Sequence, residues 1–183
     1  MKKQQPPSTL LPGKSQEARI AGLVVVGLLL FVFEAYIPRP IPWLKFGLAN
    51  IATLIALVWL GWRAAILVTF LRIVIGAFFI GTLFSPGFFL SLCGGLVAVG
   101  IMSVLYQLRV FSLLSISVTG AVTHNMVQLL VATLWLFHNA ILWRLAPYLI
   151  LTGIITGIAI GIFTIYVLNK LKESHLWEDH SSH

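Results

Sequence analysis

The sequence predicts an all-α protein, an integral membrane bundle of about six transmembrane helices. Three observations predict it. Of 183 residues, 59% are hydrophobic and only 9% charged, against roughly 25% charged in a soluble domain. The mean hydropathy is +1.00. The apolar residues also fall into six runs, most of them near the roughly 20 residues that a helix needs to cross the hydrocarbon core of a bilayer. So much of the chain lies in these runs that little remains for a soluble domain.

The elements follow in order. Residues 1–19, MKKQQPPSTLLPGKSQEAR, are polar and proline-containing, bury too little apolar surface to offset the entropy of ordering, and are expected to form a flexible cytosolic tail. The transmembrane domain is placed at residues 20–169, with apolar runs at 20–37, 46–60, 64–83, 88–106, 115–137 and 146–168. The second run is short, so its helix is expected to begin within the preceding proline segment or to be sheltered by its neighbours. Residues 170–183 form a second cytosolic tail. Lys2, Lys3 and the first apolar run imitate a secretory signal, but no small-x-small cleavage site follows and five more runs do, so the first helix is expected to stay uncleaved.

Lysine and arginine set the expected orientation. With six crossings, one face receives Lys2, Lys3, Lys14, Arg19, Arg63, Arg109, Lys170 and Lys172, and the other Arg39, Lys45 and Arg144. The positive-inside rule then places both termini in the cytosol of a bacterial plasma membrane. The formal charge of +7 does not indicate nucleic acid, because the basic residues stand singly between apolar runs and form no basic face. The single cysteine, Cys93, lies in an apolar stretch and has no partner for a disulfide within the chain.

Inside a bilayer an ionisable side chain costs roughly 2.5–3.5 kcal/mol at a helix centre on insertion scales, so each such residue carries information. Glu34 lies towards the outer end of the first run and Arg72 near the middle of the third, roughly 10 Å apart in depth at 1.5 Å per residue. Two readings fit. The residues form a buried ion pair that fixes packing, or Arg72 meets an anionic ligand. In the fifth run, THNMVQ places His124 and Gln128 four residues apart, with Asn125 about 100° around the axis. That polar stripe belongs against protein or a cavity, as hydrogen-bonding glue or as a ligand contact. Asn50 and Thr53 add a polar patch at similar depth on the second helix.

Between the first two runs, Pro38, Pro40 and Pro42 forbid a continuous helix, and Trp43 suits the membrane interface. The segment reads as a lid or as a rigid connector on the outer face. Gly153, Gly157 and Gly161 in the last run, and Gly87, Ser91 and Gly95 in the fourth, are small residues every four positions, spaced for close backbone approach within the bundle or to a partner. No metal or cofactor is expected. The sole aspartate is Asp179, there is no phosphate-binding GxxxxGK[ST] loop, and no serine or cysteine stands in a nucleophile motif with histidine. An enzyme is not predicted.

In the segments IPRPIPWLKFGLAN, RIVIGAFFIGTLFSPGFFLSLCGG and GAVTHNMVQ, the chain resembles the bacterial family of heptaprenyl diphosphate synthase component I, also called the Gx transporter family. The resemblance covers roughly residues 20–168. That family is similar in size and six-helix plan to the substrate-binding S components of energy-coupling factor transporters. The resemblance implies capture of a small molecule from outside, with energy from a transmembrane coupling protein and its ATPases. It implies a gating loop at Pro38, Pro40, Pro42 and Trp43, and a pocket at Asn50, Arg72, His124, Asn125 and Gln128, to which depth in the outer half adds Glu34 as a ligand-binding candidate. S components carry alanine motifs on the first helix for docking the coupling protein, and here only Ala18 and Gly22 have that spacing. The family's enzyme name implies the alternative, a membrane accessory that handles a prenyl ligand beside a soluble prenyl synthase subunit. The chain lacks the aspartate-rich motifs by which such synthases hold magnesium diphosphate, so it is not the catalytic subunit.

Overall fold

The computed structural model describes residues 14–36 and 47–173. The proline segment with Pro38, Pro40, Pro42 and Trp43, and most of both tails, lie outside the described residues. Among those described, every regular element is helical: α1 (Lys14–Tyr36), α2 (Asn50–Leu60), α3 (Trp62–Phe79), α4 (Pro86–Leu108), α5 (Leu113–Val131) and α6 (Ala146–Glu173). A π-helical turn at Ala132–Phe137 and a 3₁₀ turn at Ala140–Leu145 join α5 to α6. The first helix therefore starts at Lys14, upstream of the expected boundary, and the last runs on to Glu173.

Five helices are long and apolar enough to cross a bilayer, and α2 is the exception with 11 residues. At 1.5 Å per residue it is about 16 Å long, roughly half of a hydrocarbon core. Local sequence sets both of its ends. Gly47 has φ +77° just before the opening turn, and Gly61 has φ +89° and ψ 177° at the exit, backbone states that glycine adopts without penalty. Burial stabilises what length does not. Each residue from Asn50 to Leu57 is buried, because α2 packs against α1, α3 and α6. It is the central post of the bundle and presents no continuous face to lipid.

The contacts fix the directions. Gly27 of α1 approaches both Ala52 and Arg72, and Thr53 bonds Thr69 at 2.9 Å, so α2 runs antiparallel to α3. Arg19, near the start of α1, stacks on Trp59, near the end of α2, with 5.1 Å to the ring centroid, so α1 and α2 are also antiparallel. Gly95 meets Ile73 and Thr69, Gly94 meets His124 and Gln128, and Gly157 meets Val118, which continues the alternation through α4, α5 and α6. The start of α1 and the end of α6 thus lie on one face. Leu29, Phe33, Leu151, Ile155 and Ile162 point outward with more than half of their surface open, as a lipid-facing surface requires.

The glycine row of α6 lies inside the bundle. A Cβ on Gly157 would stand 2.6 Å from the Val118 Cα, and one on Gly153 3.0 Å from the Val122 Cα. The two backbones are in contact because no side chain separates them.

Candidate functional site

Five helices converge on one buried polar cavity. α1 contributes Phe31 and Glu34, the entry to α2 contributes Gly47 and Asn50, α3 contributes Arg72 and Ile73, α4 contributes Ser91, and α5 contributes His124. Glu34, Asn50, Arg72 and His124, all named from the sequence, are therefore brought together. Each is at least nine-tenths buried. The space between the walls totals about 280 Å³ including its open part, but a water-sized sphere can be centred in only about 10 Å³ of it, room for about one water. The walls are nearly in contact.

The electrostatics start from Arg72. The pairing with Ala52 and Gly27 puts its Cα deep in the bundle. A Cβ at Gly27 would lie 3.2 Å from the Arg72 Cδ, so glycine there leaves the arginine its channel. The guanidinium donates from Nη2 to the Asn50 Oδ1 at 2.7 Å. Glu34 supplies the compensating charge within coulombic range of Arg72, and its Oε1 accepts the backbone N–H of Gly47 at 2.8 Å. Among the described residues, then, Glu34 and Arg72 are bridged through the entry turn of α2 instead of meeting as a contact ion pair. The charges cancel in number, and each keeps a polar partner, as burial in a bilayer demands.

Two donors remain over. Arg72 Nε and Gln128 Nε2 are buried without a hydrogen-bond partner among the described residues. Gln128 stands one turn beyond His124 on α5, and both press on Gly94, whose added Cβ would lie 3.0 Å from the Gln128 Cγ and 3.1 Å from the His124 Nδ1. A glycine at 94 is what allows α4 to close over this polar edge.

Asn125 is placed elsewhere. Its Nδ2 donates to the Leu149 carbonyl at 2.9 Å, across the α5–α6 contact. Ser117 does the same further down, to the Gly157 carbonyl at 2.7 Å. The shared stripe read from the sequence thus divides between an α4 side, His124 and Gln128, of which His124 lines the cavity, and an α6 side, Asn125. Trp135 turns outward, edge to face with Phe89 at 5.2 Å. Thr53 bonds Thr69 and does not line the cavity. Ser91, read from the sequence only as a small residue in a packing row, is part of the wall and donates to the Gly87 carbonyl at 2.7 Å. Its coincidence in depth with His124 has no signature in sequence spacing. Among the described residues no group of three histidine, cysteine, aspartate or glutamate side chains could hold a metal ion.

The model of the family described as heptaprenyl diphosphate synthase component I matches residues 23–167 of the chain. No curated protein and no solved structure matches it.

Proposed function

Since the chain belongs to the heptaprenyl diphosphate synthase component I family, we propose that it is a non-catalytic membrane protein that binds a small polar solute between Glu34, Asn50, Arg72 and His124 and serves in its uptake. The observation that carries this reading is the cavity itself. A buried Arg72 with an unpartnered Nε opens onto it, together with the first residue of a half-length helix. Interrupted helices that end at mid-bilayer are a recurring way to build solute sites in transporters. Energy comes from a partner or a gradient, since the sequence has no nucleotide-binding loop. A coupling protein with ATPases would fill that role, with the segment of Pro38, Pro40, Pro42 and Trp43 as the gate on the outer side.

The family's description favours a second reading, a membrane accessory beside a soluble prenyl synthase subunit. The charge at the site favours the first. A prenyl diphosphate would bring its phosphates to one arginine that Glu34 already compensates.

Vesicle uptake and thermal unfolding of the purified protein, across a panel of small polar solutes and prenyl diphosphates, test the proposal. A solute that is taken up and raises the melting temperature in the unaltered protein, but not in Arg72→Ala, supports it. Binding that survives in both Arg72→Ala and His124→Ala would remove the site assignment. A gain in activity of a co-purified soluble synthase subunit would move the assignment to the second reading.

A further inference from the structure

The charges that line the cavity define a class of ligand more narrowly than polarity does. Arg72 and Glu34 both face it, are both buried, and sum to zero. They are held apart because the entry turn of α2 stands between them: Asn50 accepts from Arg72 at 2.7 Å, and Gly47 donates to Glu34 at 2.8 Å. The helix that begins there has no side-chain cap at its N-terminus, so its dipole adds positive potential on the Arg72 side. Arg72 Nε, without a partner among the described residues, is a further donor on that side.

A ligand entering such a site must leave it compensated. A simple anion satisfies Arg72 but leaves Glu34 as excess buried negative charge, a simple cation does the reverse, and unpaired charge in a membrane interior is strongly penalised. A ligand with one anionic and one cationic end satisfies both. Resting on the reading of the cavity as a solute-binding site, whose nearly touching walls must part to admit anything larger than water, we propose that its ligand is a small zwitterion of the amino-carboxylate type, with its carboxylate on Arg72 and the N-terminus of α2 and its ammonium group on Glu34. Asn50, which takes part in both halves of the turn, positions the carboxylate end.

The test uses the full-length protein in lipid nanodiscs and four probes at neutral pH: alanine, propionate, alaninamide and inorganic pyrophosphate. Propionate lacks the ammonium group, and alaninamide lacks the carboxylate. Binding to the folded state raises the melting temperature by mass action, so alanine is expected to stabilise the unaltered protein and the other three are not. In Glu34→Gln, alanine affinity should fall roughly 10- to 100-fold, the equivalent of one charge-assisted hydrogen bond, and propionate should begin to bind. Glu34→Asp, which keeps the charge, should retain the preference for alanine. If Glu34→Gln does not fold, the probe order in the unaltered protein decides alone. Stronger stabilisation by propionate, alaninamide or pyrophosphate overturns the zwitterion assignment while leaving a binding site in place. No stabilisation by any of the four also overturns it, and the wider solute panel then decides separately whether the cavity binds anything.

Discussion

Arg72, Glu34 and Asn125 show what a single residue reveals in a membrane sequence. An ionisable group in an apolar run is conspicuous because its burial is costly, and for that reason Glu34 and Arg72 are readable as one locality from the sequence alone. The role of Asn125 was not readable. A helical wheel places His124, Asn125 and Gln128 in one arc, but two neighbours share that arc. α4 takes His124 and Gln128, and α6 takes Asn125 through the Leu149 carbonyl. The division makes separate predictions. Asn125→Ala should lower stability by about 0.6 kcal/mol, the mean for an interhelical hydrogen bond in a membrane, without changing ligand affinity. Gln128→Leu should leave stability nearly unchanged or improve it, because it removes a buried donor that has no partner among the described residues. Unfolding in mixed micelles, combined with ligand titration, checks both. A loss of ligand affinity in Asn125→Ala as large as in His124→Ala would mean that the two sides of α5 act together.

At the scale of elements, five of the six apolar runs correspond to full-length helices, and the short one, singled out for its length, is α2. Its true extent was hidden for a physical reason. Beyond its Asn50 and Thr53 patch, the run LANIATLIALVWL is apolar all round whether lipid or protein surrounds it, and only the enclosure by α1, α3 and α6 distinguishes a central post from a wall. The glycine row of α6 was legible as a row, but its destination was open until the approach to Val118 and Val122 became visible. Gly157→Ala places a Cβ 2.6 Å from the Val118 backbone, which cannot yield as a flexible side chain would. It should destabilise the bundle by about 1–3 kcal/mol, the usual cost of overpacking. Gly100→Ala is the matched control, since nothing lies within 4 Å of the added Cβ. It should be neutral, or stabilise by up to about 1 kcal/mol through helix propensity. Thermal unfolding of the two variants in one detergent compares them directly, and equal effects would mean that α5 and α6 do not hold their backbones in contact at Gly157.

For the whole molecule, the charges and the helix directions agree without having been derived from one another. The alternation of helices puts the start of α1, the α2–α3 and α4–α5 connections and the end of α6 on one face. That face carries Arg19, Arg63, Arg109, Lys170 and Lys172, while the connection from α5 to α6 on the opposite face carries Arg144. Aromatic Phe78, Phe79, Phe84 and Trp143 sit exposed near the second face, where an interfacial belt belongs. Positive residues follow the cytosol, so the basic face should be cytosolic and the Glu34–Arg72 cavity should lie nearer the outside. Single cysteines in a Cys93→Ser background test this in intact cells. A cysteine replacing His138, between α5 and α6, should react with a membrane-impermeant maleimide, whereas one replacing Arg109 should react only after the cells are opened. The reverse pattern would turn the bundle over. The α2 entry and its cavity would then open towards the cytosol, and uptake from outside would no longer fit the site.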